Sequence, residues 1–314
     1  MDSAVPVVDL EAWRSDPRNS GFVSGLGEAL RSYGFVRVRG HGVSPDLIAR
    51  SYAAAKAFFY QPREKKIALV VPGQAGQRGY TPFRAESAKY TDVPDLKEFF
   101  HVGRELDPEH SLGGRYVPNC WPEIQGFRET LLELYTALES VSKELLTALA
   151  LHLDLDASHF VEMAVDGDSV LRLLHYPATD DTTYIPGAIR AAAHEDINFI
   201  TLLLASTASG LELLRRDGSW IPVNAEKGEL IVDSGDMMSR LTNGVIPATT
   251  HRVINPEDGT TERFSMPFFV HPRPEVSLAT LPQFRGPGFP APPRDLDART
   301  YLLNRLESLG LGDL

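Results

Sequence analysis

Residues 191–204 read AAAHEDINFITLLL. Small residues precede the polar ones and an aliphatic run follows them, so the stretch is typical of a strand whose side chains alternate between two faces. On such a strand, His194 and Asp196 lie on the same face. A carboxylate in buried surroundings is unfavourable unless it is ion-paired, hydrogen-bonded or bound to a metal. The pattern therefore indicates that Asp196 has a partner elsewhere in the chain.

His251, in the strand-like segment ATTHRVI, is the candidate for that partner. Two histidines and one carboxylate on one side of a metal leave about half of an octahedral shell open, which is the ligand set of non-haem iron(II) oxygenases. The open positions let oxygen and a second ligand bind the same ion. The alternative is a core histidine beside a hydrogen-bonded acid. A second His-x-Asp pattern, at His152 and Asp154, ends a predicted helix, and we interpret it as a chance match.

The strand-like run RFSMPFFVH follows His251 and begins with Arg263 and Ser265 on one face. A guanidinium fork next to a hydroxyl suits a carboxylate ligand, because arginine pairs with carboxylates in a bidentate way. The alternative is a structural ion pair with an acid of the protein. Phe269 and His271 continue the same alternation, which makes them candidates for the wall of a substrate site. The proline between them and Ser265 cannot donate to a strand ladder, and a bend there would spoil the register.

Composition narrows the class of protein. The chain has 314 residues and a formal net charge of −11. Because no basic patch or stripe is apparent, we expect no nucleic-acid partner. No run approaches the ~20 apolar residues of a membrane helix, and the start MDSAVPVVDL lacks the pattern of a signal peptide, so we expect no membrane contact and a cytoplasmic location. The single cysteine, Cys120, allows no internal disulfide and leaves histidine and carboxylate as the ligands of any metal.

We expect one structural domain with three regions. Residues 1–120 mix short strands and helices; residues 121–284 hold a long helix over about 124–153 followed by the catalytic core; residues 285–314 form a Pro- and Gly-rich tail that ends in a helix. The core contains many short strand candidates between turn residues, which predicts a sandwich or barrel. These candidates are SVLRLLHY, AAAHEDINFITLLL, LELLRR, WIPV, GELIVD, MSRLTN, ATTHRVI and RFSMPFFV.

Taken in order, these segments resemble the 2-oxoglutarate/iron(II)-dependent oxygenases of the isopenicillin N synthase-like family. The resemblance covers most of the chain. It implies a mainly β fold with flanking helices, the double-stranded β-helix, also called a jelly roll or cupin-like fold. The segments that carry it are PVVDL, GFVRVRGHGV, FFYQPREKK, LRLLHYP, HEDINFITLLL, GLELLRRDGSWIPV, GELIVDSGD, LTNG, HRV and RFSMPFF.

The resemblance also implies roles for individual residues. The catalytic iron ligands would be His194, Asp196 and His251. The distal carboxylate of 2-oxoglutarate would be bound by Arg263, Ser265 and Tyr176; the alternative for Tyr176 is a core aromatic residue with a hydrogen-bonded hydroxyl. Many relatives have asparagine two residues before this tyrosine. Leu174 stands there instead, so one polar contact to the co-substrate is missing.

The implied activity is that of a dioxygenase that uses iron(II), 2-oxoglutarate and oxygen. Oxidative decarboxylation of 2-oxoglutarate would be coupled to hydroxylation, desaturation, cyclisation or epoxidation of a small molecule, with secondary metabolism as one setting. An alternative is an oxidase of the isopenicillin N synthase or aminocyclopropane-carboxylate oxidase kind, which needs no 2-oxoglutarate and which Leu174 mildly favours. A non-catalytic jelly-roll binder is a further alternative, but a binder has no need of three ligands around an open coordination face. The sequence leaves the substrate and the oligomeric state open.

Overall fold

A computed structural model of the chain describes residues 5–308, apart from 18–19, 75, 88–92, 108, 111, 113, 115 and 179–184. The N-terminal region alternates helices and strands, and its four described strands join one large sheet, two at each end. Its elements are β1 (Val7–Asp9), α1 (Leu10–Ser15), α2 (Ser20–Tyr33), β2 (Phe35–Arg39), α3 (Pro45–Phe59), α4 (Arg63–Ile67), β3 (Gly79–Thr81) and β4 (Glu98–Gly103).

The predicted long helix is present as α5 (Phe127–His152). Gly126 precedes it with φ 74°, a left-handed conformation that glycine adopts without strain. Apolar residues recur along one side of α5 and are buried, as the period of the sequence predicts. This side packs against α2, α3 and the short α6 (His159–Ala164) and closes the core behind the sheet.

The C-terminal half supplies the remaining strands. They are β5 (Val170–Tyr176), β6 (Ala191–His194), β7 (Ile200–Leu204), β8 (Leu211–Leu214), β9 (Trp220–Pro222), β10 (Glu229–Ser234), β11 (His251–Val253), β12 (Arg263–Ser265) and β13 (Pro267–Val270). Helix α7 (Asp236–Leu241) follows β10, and α8 (Ala298–Ser308) follows a short 3-10 helix at Pro282–Phe284.

Two sheets face each other. The large sheet runs β1-β2-β10-β7-β13-β5-β4-β3, with β12 also paired to β5, and the small sheet runs β6-β11-β8-β9. One core lies between the large sheet and the helices, and a second, smaller core lies between the two sheets. This arrangement confirms the predicted jelly roll with flanking helices. Among the described residues, no helix is both long and apolar enough to cross a bilayer.

Two sequence interpretations were wrong. The stretch 191–204 is not one strand: β6 ends at His194, and the chain crosses to the other sheet before β7 begins at Ile200. Three consecutive polar residues and Asn198 interrupt the alternation, and such a run suits a crossing loop better than a buried strand. The segment MSRLTN lies mostly in α7, because its Met, Arg and Leu residues form helices readily and its short run could not fix a period.

Candidate active site

The structure brings His194, Asp196 and His251 together at the rim of the small sheet. Strands β6 and β11 pair so that His194 lies opposite His251, with ring centroids 4.4 Å apart. Asp196 lies in the loop after β6, and its backbone carbonyl accepts a hydrogen bond of 2.7 Å from Asp236 N. Its Oδ1 lies 3.9 Å from His194 Nε2 and 3.8 Å from His251 Nε2. The three donor atoms therefore converge although one of them lies outside the strand.

The orientation of both imidazoles is fixed from behind. His194 Nδ1 lies 2.7 Å from Ala192 O, and His251 Nδ1 lies 3.1 Å from Thr249 O. Since a carbonyl oxygen only accepts, each Nδ1 carries the hydrogen, and each Nε2 presents a lone pair to the centre. The edge of the Phe35 ring packs on His251 at a centroid distance of 5.5 Å, which limits rotation of that ring.

The protonation states of His251 and Asp196 also suit a metal site. Burial, together with the neighbouring His194, lowers the pKa of His251 to about 4, so this ring is neutral at neutral pH. Burial opposes ionisation of Asp196, but His251, His194 and a hydrogen bond from Thr201 outweigh it and lower the pKa of this carboxyl group. Neutral imidazoles and an ionised carboxylate are the forms that coordinate metals. The donor set therefore fits an ion such as iron(II) on chemical grounds.

Polar groups behind Asp196 hold its second oxygen. The Thr201 hydroxyl donates to Asp196 Oδ2, and Asn198 Nδ2 donates to Thr201 Oγ1 at 2.8 Å. This pairing leaves Oδ1 directed at the two histidines. Burial and the nearby charge of Asp196 raise the pKa of Asp233 well above its ordinary value.

Arg263 lies deep between the sheets and is only 1% exposed. Its Nη1 donates to Ser265 Oγ at 3.0 Å, its Nε donates to Ala208 O at 3.1 Å, and its guanidinium lies 4.9 Å from the centroid of the Tyr176 ring. Strand pairing explains the placement, since Arg263 is opposite Tyr176 and Ser265 is opposite Leu174. The structure therefore brings the three predicted carboxylate-binding residues together.

Arg263 has no acidic partner within 4.0 Å among the described residues, which argues against the alternative of a structural ion pair. A second cation is close: burial, and then the charge of Arg263, lower the pKa of Arg190 to about 10. Both guanidinium groups lie near the Tyr176 ring. Burying a guanidinium without a counter-charge is costly, so Arg263 indicates a site for an anion. A narrow cavity connects Arg263 with Asp196, and the Leu174 side chain lines it.

A larger cavity of about 350 Å³ opens on the other side of the three convergent residues. Phe269 and His271 line it, because the alternation that starts at Arg263 continues past Pro267. Pro267 remains in register opposite Leu203, so the anticipated bend does not turn the strand over. Residues of α8 form another part of the wall, namely Leu302, Arg305 and Leu306.

Several residues of this cavity were missed in the sequence. Arg172 points inward from β5, where it is the single charge in the run SVLRLLHY, and that was the available signal. Lys97 and Glu86 come from a region whose sequence has no clear period. Glu195 also lines the cavity, and its carboxylate accepts a hydrogen bond from the Thr250 hydroxyl.

Comparisons with known proteins agree with this geometry. Residues 5–124 match the family model "non-haem dioxygenase in morphine synthesis N-terminal", and residues 167–272 match "2OG-Fe(II) oxygenase superfamily". A 2-oxoglutarate-Fe(II) type oxidoreductase of Emericella nidulans is 33% identical over 89% of this chain and 83% of its own length. A Caulobacter crescentus crystal structure, described as a 2OG-Fe(II) oxygenase family protein, is 39% identical, covers 97% of this chain and 98% of its own, and superposes with a TM-score of 0.86. A Neurospora crassa protein crystallised in complex with alpha-KG is 26% identical, covers 98% of this chain and 97% of its own, and has a TM-score of 0.85.

Proposed function

The chain belongs to the 2OG-Fe(II) oxygenase superfamily, and from this membership we propose that His194, Asp196 and His251 bind its iron(II). The enzyme is a 2-oxoglutarate-dependent dioxygenase that uses iron(II), 2-oxoglutarate and oxygen and acts on a small molecule. The oxidase alternative is not favoured, because relatives over most of the chain are named for 2-oxoglutarate. Secondary metabolism is the setting we propose, in line with the family model described from morphine synthesis.

We further propose that Arg263, Ser265 and Tyr176 bind the distal carboxylate of 2-oxoglutarate. The observation that carries this proposal is the buried Arg263 guanidinium without an acidic partner among the described residues, at the end of the narrow cavity that starts at Asp196. When bound, iron(II) and 2-oxoglutarate supply the oxidation, in which the co-substrate loses carbon dioxide and becomes succinate. Arg263 neutralises and orients the diacid, the Nδ1 hydrogen bonds fix the imidazoles, and the walls between the sheets exclude water.

The activity is tested with the purified protein, iron(II), 2-oxoglutarate and oxygen. We expect succinate to form in air and not under nitrogen. In the presence of a metabolite extract, mass spectrometry should detect a product that is heavier by one oxygen atom or lighter by two hydrogen atoms. Absence of succinate from protein that demonstrably contains iron would contradict the proposed function.

Thr201→Val is expected to weaken iron(II) binding by about 10- to 100-fold, because outer-shell hydrogen bonds orient metal ligands. Valine keeps the shape of threonine but leaves Asp196 Oδ2 without its donor. Anaerobic competition with a chromogenic chelator measures the affinity. Thr136→Val is the matched control, since the Thr136 hydroxyl donates to Leu132 O on the exposed side of α5. Equal affinity of the Thr201→Val and wild-type proteins would show that the hydroxyl does not support the metal site.

Phe269→Ala and His271→Ala are expected to change the product distribution more than the decarboxylation of 2-oxoglutarate. Both side chains line the larger cavity, and neither is among the proposed ligands of iron or 2-oxoglutarate. Product ratios and succinate yield are measured in parallel. If both variants retain the wild-type product ratio, the two residues are not part of the substrate wall.

We also propose that regions 1–120, 121–284 and 285–314 form one structural domain. In support, the large sheet takes strands from the first two regions, and α8 of the third lines the same cavity as β5 and β13. The cytoplasmic location stays a prediction from the sequence.

A further inference from the structure

The larger cavity contains an arginine whose hydrogen-bonding capacity is not used up. Arg172 donates through Nε to His101 Nε2 at 2.5 Å. Its Nη1 comes no closer than 3.7 Å to Glu86 Oε2, which is too long for a hydrogen bond. Within the described part of the chain, neither terminal nitrogen has an acceptor at hydrogen-bonding distance. The outer edge of the guanidinium therefore offers free donors to whatever enters the cavity.

The guanidinium of Arg172 is held in one orientation. It lies 4.3 Å from the centroid of the Phe99 ring and 5.1 Å from that of Phe269. His101 accepts the Nε hydrogen because its own Nδ1, 2.5 Å from Gly76 O, carries the ring hydrogen. Burial, and then the charge of Arg172, lower the pKa of His101 well below its ordinary value, which is consistent with this neutral form. A donor pair fixed in this way loses little freedom when it binds a ligand.

The charges around Arg172 are already balanced. Lys97 lies 2.6 Å from both Glu86 and Asp95, and Glu86 is also the acid nearest to Arg172. Two cations thus face two acids. Lys97 and then Arg172 hold the pKa of Glu86 at about 2 against the effect of burial, so this acid is ionised. These four side chains therefore offer oriented hydrogen-bond donors to a ligand but carry no net positive charge.

No other described residue of the cavity supplies a positive charge that is not already balanced by an acid. Arg305 lies 3.0 Å from Asp236 and 4.0 Å from Glu195. Burial lowers the pKa of His271, so it is uncharged at neutral pH. His271 Nδ1 lies 3.3 Å from Phe269 O, which leaves Nε2 as an acceptor on the cavity side. A substrate carboxylate would bring a negative charge without a counter-charge, whereas an uncharged carbonyl oxygen would use the free donors at no such cost.

We propose that Arg172 is a substrate-binding and specificity-determining residue, and that the substrate is a small uncharged molecule with an amide-type group. Its carbonyl oxygen accepts hydrogen bonds from the terminal nitrogens of Arg172, and its N–H donates to His271 Nε2. The cavity of about 350 Å³, with Val170, Ile197 and Phe269 among its walls, has the size and the mixed lining of a small-molecule site. The assignment rests on the proposed function, because that function makes this cavity the place where the substrate meets the iron.

Calorimetric titration of the anaerobic protein, loaded with iron(II) and 2-oxoglutarate, tests the proposal. The probes are benzamide and 2-piperidone as amides, and benzoate as the charged analogue of benzamide. We expect wild-type protein to bind both amides and to bind benzoate more weakly than benzamide. Arg172→Met should weaken benzamide binding by about 10- to 100-fold, the usual cost of losing hydrogen bonds to a charged group. Arg172→Lys keeps the charge but not the planar fork, so its affinity for benzamide should lie between those of the wild-type and Arg172→Met proteins.

Arg37→Met is the matched control. The Arg37 side chain is 18% exposed, as is that of Arg172. Arg37 lies on β2, away from the cavity, and pairs with Glu229 of β10 at 3.3 Å. The Arg37→Met protein should bind benzamide as the wild-type protein does. If Arg172→Met fails to fold, Arg172→Lys carries the comparison.

Titration with 2-oxoglutarate alone distinguishes a failure of the proposed function from a failure of the role proposed for Arg172. Failure of the wild-type protein to bind 2-oxoglutarate would contradict the proposed function. Normal binding of 2-oxoglutarate would leave the function standing, and the inference alone would then be overturned by any of three results: no binding of either amide, benzoate binding as tight as benzamide binding, or wild-type affinity in both Arg172 variants.

Discussion

Asp196→Asn is expected to abolish turnover and to weaken iron(II) binding by more than about 100-fold. This loss exceeds the effect of about 10- to 100-fold that is usual when a residue hydrogen-bonded to a metal ligand is replaced. The substitution keeps the shape of the side chain but removes the only charged donor atom of the three proposed ligands. The two histidines are held by backbone carbonyls and stay in place. The loss of iron(II) affinity therefore measures the contribution of the carboxylate. The protein must be stripped with chelator and reloaded without oxygen, because nickel, copper and zinc generally bind such ligands more tightly than iron(II).

A matched control is available in the same chain. Asp154→Asn makes the identical change in the second His-x-Asp pattern, which ends α5. Asp154 has φ 54°, a conformation that asparagine also adopts readily, so the variant should fold normally. We expect it to bind iron and turn over as the wild-type protein does. Full activity of the Asp196→Asn protein, or equal losses in both variants, would contradict the metal assignment.

The three residues that converge could be predicted from the sequence, but not the way they meet. Residue type, order and strand-like surroundings were enough to choose His194 and His251 over His152. The alternation argument then placed Asp196 on the strand with His194, whereas it lies in the loop after the strand. Local periodicity cannot show where a chain leaves one sheet for another, because the crossing depends on contacts such as Asp236 N with Asp196 O.

Long-range packing explains the other omissions. Helix α8 was predicted from its pattern, but nothing in that pattern tells which surface the helix covers, so Arg305 could not be placed at the cavity. The free edge of Arg172 depends on His101 and Phe99 of the neighbouring strand β4, and no spacing in the sequence encodes that pairing. Arg263 and Ser265 were predictable, because two residues on one face of a single strand need only the period of two.

Arg263→Met is expected to weaken 2-oxoglutarate binding by roughly 30-fold to a few thousand-fold. Removing one partner of a buried, hydrogen-bonded charge pair typically costs about 2 to 5 kcal/mol, and each ~1.4 kcal/mol is a factor of ten in affinity. Iron binding should persist, since the guanidinium lines the narrow cavity but is not one of the proposed metal ligands. Anaerobic titration of the iron(II) protein with 2-oxoglutarate, alongside succinate formation in air, measures both properties.

Two further variants sharpen this prediction. Arg263→Lys should recover only part of the affinity, because an ammonium group offers a point charge without the planar fork. Arg104→Met removes another arginine whose side chain is largely buried, one that is paired with Glu139 and hydrogen-bonded to Gly167 O. The affinity for 2-oxoglutarate should then stay at the wild-type value. Wild-type affinity in the Arg263→Met protein would remove this arginine from the co-substrate site. It would also leave the burial of this guanidinium next to Arg190 without a functional reason, since no described acid lies within 4.0 Å of Arg263.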